Sequence, residues 1–588
     1  MISDTIISKN DLEYRLKTAN EEGYEWQSRR HEDWRENYTL SRDKVITNRL
    51  TQRQSVNVPL MKQILKTILS KIDDFVDLEF TNLDNDKQKE LFYNTYWNDV
   101  VKKDNVLELK DMVDKKQVLT FGRSFEKWNV VNGKIRLHII HPQDMRIDRF
   151  CDPTDIDSSR YVIQDNIFAT LSDIKLNDSY DKSVIKELED YYSSDAGLIK
   201  SSDNEIKLME KNEIMREMGS EDVDNPQIGQ TVVQMQESFI KVWNPLINDE
   251  EIVFAVSANG KVLYAEFLEE VMGETEDHYW RYHYPIESWA EDLDNNDFWN
   301  DGVADSVRVP NKIVNSWFSS EVENRMLANM GMNYYNSTVG GEDGEFIPQT
   351  FEPTAFGWYP VPGDPNQIIK RIEIPELKNN LESINFVVQL AEKASAATAI
   401  TQGVSEQKKI TLGEVELLAG NAMDRIQSMS LFYRQCWLKL GQKYIKLLEA
   451  LGDDIEGVKI FKKGFRGNVF SKDIAPSDWK AKNGYNVEVI SKKDKAERDL
   501  EQLQKMSAIR TQFLTNQAMT EIYQKKLLDI GGFTPDEVKQ ILDEERKKLE
   551  TANNMAATGM VDNALPAAGA NGGSALPATT AIPAVATA

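Results

Sequence analysis

Cysteine is nearly absent from this chain: Cys151 and Cys436 are the only two in 588 residues. They lie too far apart for a C-x-x-C pattern, which excludes a thiolate metal knuckle and a disulfide framework and fits a reducing cytoplasm. Histidine is scarce as well, with five positions. The pairs His138/His141 and His278/His283 come with no third donor at ligand spacing, so no metal centre and no cofactor are expected. Long apolar runs are missing, and no window reaches the ~18 residues of a membrane span. The first residues, MISDTIISKNDLEYRL, show no basic start followed by an apolar stretch, so no secretory leader is expected. No G-x-x-x-x-G-K-[ST], G-x-S-x-G or H-E-x-x-H occurs. The phosphate-cradling loop, the nucleophile elbow and the helical zinc pair are thereby removed as sources of catalysis. Positive charge is the last shortage. Lys and Arg number 70 against 96 Asp and Glu, a formal charge of −26, the reverse of what a phosphate-neutralising DNA binder needs. That balance fits an ordinary acidic surface and equally a surface along which DNA passes without sticking; charge alone does not choose between them.

What the chain does have is length and helical periodicity. With 40% hydrophobic residues it can fill about three to five structural units, and the pattern predicts an α+β protein, mostly helical. Residues 8–40 read as one polar helix, 86–118 as another. Between them Leu60, Ile64, Ile68 and Ile72 recur every four residues, with Leu65 and Leu69 widening the stripe. FEKWNVV and KIRLHII flank Asn132-Gly133, and EIVFAVSA and KVLYAEF flank Asn259-Gly260, the turn chemistry of two-residue hairpins. The Lys- and Glu-rich region 171–222 predicts a peripheral helical insertion. Trp280 to Trp299 is dense in aromatics and predicts a core or a subunit interface. A helix is expected to start near Pro310, another after Pro375 with the stripe Leu377, Leu381, Ile384, Val388, Ala391 and Ala394, and a long one from Leu412 to about Leu451. VKIFKKGF and YNVEVI read as a strand pair. Thr534, Pro535 and Glu537 form a helix start, and the Ala/Thr/Gly/Pro-rich residues 554–588 predict disorder.

Two acidic patterns invite a chemical reading and do not sustain it. Asp292, Asp294 and Asn296 imitate the start of a calcium loop, but Asp297 stands where glycine is needed and Val303 where glutamate is needed. Glu287 and Glu291 beside Trp289 suggest a glycosidase pair, a spacing that any glutamate-rich chain offers. Lys408-Lys409, in a polar loop between two apolar-striped helices, is an ordinary solvated turn unless the chain forms a ring.

The order of elements is similar to the portal proteins of tailed bacteriophages over roughly residues 10–550. SVNVPLMKQILKTILSKI comes first, then VLTFGRSFEKWNVVNGKIRLHIIHPQDMRID, which looks like the family's β-rich wing segment with its glycine, hairpin and Pro-x-Asp. DGVADSVRVPNKIVNSWFSSEVENR looks like the first stem helix. By this resemblance 1–299 forms the N-terminal helices and wing, 300–332 the first stem helix and 333–375 the clip, shorter here than the family's pattern. The second stem helix is 376–400, the tunnel loop 401–412, a long helix with further wing strands 413–490 and the crown helices 491–553.

The resemblance implies a dodecameric ring at the portal vertex of the virion capsid, assembled in the host bacterial cytoplasm. Double-stranded DNA would be driven through it by a separate terminase, with major capsid, scaffold, head-completion and tail proteins as further partners and no membrane. Gln402, Ser405, Gln407, Lys408 and Lys409 would face the DNA. Tyr334, Tyr335, Glu342, Asp343, Phe346, Phe351, Trp358 and Tyr359 would dock terminase or adaptor proteins, and no residue would be catalytic. Two other readings stay open: a different phage connector or minor capsid protein, and a polysaccharide-acting hydrolase built on the aromatic region.

Overall fold

A computed structural model describes residues 6–43, 56–72, 76–84, 86–131, 133–193, 232–294, 297–330, 332–335, 369–372, 380–395, 412–451, 458–463, 469–474, 478, 480–491 and short pieces between 504 and 551. The chain forms two compact units, Met1–Ile460 with Lys472–Lys495, and Phe461–Ser471 with Ala496–Ala588. The first holds every element up to residue 451 and the strand at 485–491. Of the expected crown helices only fragments such as 541–544 are described, and these are helical; the tail 554–588 lies outside the described residues.

Ser8 caps α1 (Lys9–Ser28) by accepting the Asp11 N–H, as N-cap serines do. The single helix expected over 8–40 is in fact two, since α2 (His31–Ser41) follows a break at Arg29-Arg30. Arg30 at the break reaches Asp301 at 2.7 Å and Asp305 at 2.9 Å, a tertiary demand that local pattern does not carry. α3 (Leu60–Leu69) buries Leu60, Ile64, Leu65 and Ile68 as its four-residue recurrence requires. After β1 (Val76–Asn82) come α4 (Lys87–Tyr96), a π turn at 97–101, α5 (Lys102–Asn105) and α6 (Leu107–Phe121). The helix expected over 86–118 is therefore interrupted. Val106 takes φ 50° and ψ 47°, a left-handed conformation unfavourable for a β-branched residue. Asn105 fixes it by donating to the Val101 and Ile135 carbonyls and accepting the Leu137 N–H at 2.8 Å.

β2 (Arg123–Val131) and β3 (Lys134–Ile140) form the first expected hairpin, Val131 opposite Lys134 and Gly133 at φ 69°. β4 (Met145–Ile147) and β5 (Tyr161–Thr170) lead to α7 (Leu171–Leu176) and α8 (Lys182–Ser193). β6 (Val232–Asn244), β7 (Asp249–Ala258), β8 (Lys261–Phe267), α9 (Leu268–Met272) and β9 (Ile286–Ala290) come next. The second expected hairpin joins β7 to β8 at Asn259 and Gly260, with φ 49° and 74°. Two antiparallel sheets result, ordered β4-β5-β6-β7-β8 and β3-β2-β9. The region 171–222 is not simply peripheral where it is described. Ile174, Val184, Ile185 and Leu188 are buried against Val233, Val256 and Leu263 of the larger sheet, while Leu176 and Tyr191 stay exposed.

α10 (Val303–Met330) begins before the expected start at Pro310, which lies inside the helix. The start is set by carboxylates: Glu291 Oε2 accepts the Val303 N–H at 2.6 Å and Asp305 Oδ2 the Gly302 N–H at 2.9 Å, satisfying donors that no helix start can bond internally. β10 (Met332–Tyr335) pairs antiparallel with β11 (Ile369–Ile372). α11 (Asn380–Ala394) buries Ile384, Val387 and Ala391, but Leu381 and Ala394 of the expected stripe are exposed. α12 (Leu412–Leu451) has the expected bounds. β12 (Val458–Lys463) pairs with β13 (Val469–Ile474), whereas β14 (Tyr485–Ser491) pairs antiparallel with β1, from Val76↔Ser491 to Asn82↔Tyr485. The expected partnership of VKIFKKGF with YNVEVI is thus wrong: each strand pairs elsewhere, with β13 and with β1.

The fold is mixed α and β. Its largest core gathers Tyr433, Trp437, Leu440, Tyr444 and Leu447 of α12 against Trp97 and Phe80, and Trp128 donates to the Leu440 carbonyl at 3.0 Å. Trp280, Tyr284, Trp289, Phe298 and Trp299 are buried in the same core, as expected of the aromatic stretch. Among the described residues no helix is long and apolar enough to cross a membrane.

One close approach holds the sheet to the helices. Gly122 ends α6 at φ 86°, and a Cβ there would stand 2.0 Å from the Asn300 carbonyl oxygen. Gly122→Ala combines backbone strain with that clash, and we expect a loss of about 2–4 kcal/mol, read by chemical denaturation of the full chain.

Candidate functional site

Most of the residues expected to face DNA or docking partners, namely Gln402, Ser405, Gln407, Lys408, Lys409, Glu342, Asp343, Phe346, Phe351, Trp358 and Tyr359, lie outside the described residues. Tyr334 and Tyr335 are in β10, opposite Lys370 and Ile369 of β11. The two ends of the insert between the helices are therefore hydrogen-bonded to each other.

Two other surfaces emerge. The first is α6, whose two faces are mixed. Leu109 (62% exposed), Met112 and Val113 are exposed beside Glu108 and Lys116, with Val106 just before the helix, while Asp111, Asp114 and Lys115 are buried beside Leu107, Val118, Leu119 and Phe121. An apolar patch outward and a charged cluster inward over one stretch of the helix depart from the pattern of an ordinary surface helix. The second is the α10–α11 pair. Val303, Ala304, Val307 and Val314 pack with Ile384, Val387 and Ala391 in one core. On the side of α11 away from that core, Phe386 (67% exposed) and Leu390 lie one turn apart, and Trp317 of α10 is also exposed. Such clusters on an isolated chain mark contact surfaces.

The inward charges of α6 are matched by groups far away in sequence. Lys115 Nζ donates to Asp111 Oδ2 at 2.8 Å and lies 4.4 Å from the Tyr433 ring centroid; the Tyr433 hydroxyl donates to Asp111 Oδ1. Trp289 Nε1 donates to Asp114 Oδ2 at 2.8 Å, and Cys436 Sγ donates to Glu126 Oε2 at 3.3 Å. Further along α12, Lys443 meets Glu287 at 2.6 Å and Asp157 at 3.3 Å and donates to the Ile286 carbonyl at 2.9 Å. His283 binds Asp157 at 2.8 Å. Burial works to raise Asp157, but the Lys443 ammonium and the His283 bond override it and hold the carboxyl at about 2. At Glu287 burial prevails, and its carboxyl sits above the ordinary value despite Lys443. Burial also pushes Glu291 up to about 8. The carboxylates whose spacing suggests a glycosidase pair are accordingly an ion-pair partner and a helix cap, both engaged within the fold. His278 is held by Glu269 at 2.7 Å.

No known family model matches the chain, and no curated protein is detectably similar to it in sequence.

Sequence reasoning missed α6. Asp111, Asp114 and Lys115 fall at i, i+3 and i+4 between the apolar positions, so the two stripes were visible; the partners that make burying the charged one tolerable were not.

Lys443 gives a direct check. Lys443→Met leaves Glu287 and Asp157 buried without their counter-charge, and we expect a loss of about 3–5 kcal/mol in denaturant unfolding. The pH dependence has a definite sign. Asp157 is depressed, so its contribution is present above its unfolded value and is lost as pH falls toward about 2. The variant should lose less of its remaining stability over that acid range.

Proposed function

We propose that the chain is the subunit of a phage portal-type ring, a passive conduit for double-stranded DNA. One observation carries this reading: two mutually packed helices, α10 and α11, bracket an insert whose ends pair as β10 and β11. A helix pair that carries a small module outward is what a ring needs for a stem and clip, and an enzyme reading has no use for it. The apolar faces of α6 and of the α10–α11 pair add support. A head-to-tail ring requires two different, complementary patches on each subunit, because each subunit presents one face to one neighbour and another face to the next.

In this reading the ring occupies the portal vertex of the capsid, assembled in the bacterial cytoplasm. The −26 formal charge keeps DNA from adhering to it, and Lys408 and Lys409 make light, salt-sensitive phosphate contacts. A separate terminase supplies ATP hydrolysis and docks on the insert with its tyrosines Tyr334 and Tyr335. Head-completion and tail proteins bind the same ring later, and the chain itself is no catalyst.

Native mass spectrometry with electron-microscope class averages of the purified full chain tests the proposal. A closed ring of about a dozen copies with a central hole is expected; a small closed oligomer without a channel would sink it. Phe386→Glu with Leu390→Glu, and separately Leu109→Glu with Met112→Glu, should each shift the ring to smaller species while leaving the circular dichroism spectrum intact, since all four side chains are exposed.

A further inference from the structure

Asp114 of α6 and Glu126 of β2 are each 1% exposed. Each has one carboxyl oxygen occupied, Asp114 Oδ2 by the Trp289 indole and Glu126 Oε2 by the Cys436 thiol. The remaining oxygens, Asp114 Oδ1 and Glu126 Oε1, are buried and have no donor. β2 pairs with β9 so that Trp289, the residue that holds Asp114, stands opposite Ser124, two positions from Glu126, and each carboxyl shifts the other's proton affinity. Two carboxylates cannot bond each other, and a buried acceptor left bare costs free energy. A single proton between them converts both bare oxygens into one O–H···O bond.

We propose that Asp114 and Glu126 share one proton at neutral pH, and that this proton seats α6 on the sheet and on α12, making the fold around the exposed stripe of α6 sensitive to alkaline pH.

The neighbours favour retention of that proton. On α6 itself Lys115 is the nearest cation, and it is committed to Asp111 at 2.8 Å. From β2, Arg123 is bound to Asn300 at 2.8 Å and to Ser288 at 2.9 Å. Ser124, close to Asp114, gives its hydroxyl proton to Gln117 at 2.9 Å. β9 contributes Glu287, another carboxyl, engaged with Lys443 of α12 at 2.6 Å. α12 also presents the Cys436 thiol and the Tyr433 hydroxyl, the latter on Asp111. Lys115 and Arg123 act on the pair through space, and neither donates a hydrogen bond to Asp114 or Glu126. Burial first, and then the facing Asp114 carboxyl, raise Glu126 well above the ordinary glutamate value.

A carboxyl raised in the folded state contributes full stability below its unfolded value, and that stability is lost as pH rises toward the folded value. Ionising the pair at alkaline pH places two like charges in a buried site and loosens α6, the helix whose other face is exposed. The device is independent of whether the chain forms a ring.

The test is thermal unfolding of the full chain between about pH 5 and pH 9 for wild type, Glu126→Gln, Asp114→Asn and the double variant. The wild type should lose Tm with rising pH more steeply than any variant. Both single variants and the double should share one flatter slope, because one proton serves both positions. Glu291 remains in all four proteins, so its own loss cancels in the comparison. Unchanged slopes in the single variants would overturn the proposal, and so would a double variant that flattens the slope twice as much as either single, which means two separate protons. Should a variant fail to fold, infrared spectroscopy of Glu291→Gln, which removes the other strongly raised carboxyl, decides: a protonated-carboxyl C=O band at neutral pH that disappears at alkaline pH together with the folded signal is expected. A spectrum without that band overturns the idea.

Discussion

Lys443 stands between Glu287 and Asp157, the lysine and the glutamate almost fully shielded from water and the aspartate partly so, and the position of α12 depends on that arrangement. Removing such charges from water costs several kcal/mol per ion, and their attraction offsets the cost only where geometry is good and the other polar atoms are bonded. Here they are: the Ile286 carbonyl takes a further Lys443 proton, while His283 and the Tyr284 N–H meet Asp157. Apolar contacts alone would let a long helix slide or rotate by a turn at little cost, since Leu, Tyr and Trp faces are adaptable. A buried ammonium that must find two carboxylates and a carbonyl permits one register.

The same logic runs up the helix from Lys443 to Cys436 and Tyr433. Each of these three residues answers a different strand or helix: Lys443 answers β9, Cys436 answers β2 and Tyr433 answers α6. The polar partners therefore serve as alignment marks, while Trp437, Leu440 and Leu447 between them supply the buried apolar area that stabilises the contact. With its inner face committed to this seam, α6 shows Leu109, Met112 and Val113 outward beside Glu108 and Lys116. An apolar exposed stripe and a charged buried one are two sides of one constraint.

Features set by a few adjacent residues were readable in the sequence. Asn259-Gly260 closes its hairpin through turn chemistry that needs no distant partner, and the α3 stripe of Leu60, Ile64 and Ile68 states its own buried face. The bounds of α12 were readable because its periodicity is long. Features set by partners elsewhere in the chain were not. Nothing near Arg30 announces Asp301 and Asp305, nothing near Val106 announces that Asn105 will bond across to Leu137, and Pro310 looked like a helix start because the capping carboxylate of Glu291 lies upstream of the helix. Of the candidate site, the two tyrosines at the head of the insert fall where the insert closes. The apolar surface of α6 escaped notice because its charges read as a solvated face, the usual fate of charges at that spacing.

The pairing of β1 with β14 has a consequence for how the chain is made. β1 leaves the ribosome early, and its partner edge, Tyr485 to Ser491, leaves near the end. Until then Leu78 and Phe80, both buried in the finished fold, belong to a strand with an open hydrogen-bonding edge, and such edges recruit other chains. Closing so long a loop is slow. The time spent waiting for β14 is the period of greatest risk of misassembly, so a nascent chain is best served by a chaperone, or by slow and well-spaced initiation, until that strand arrives.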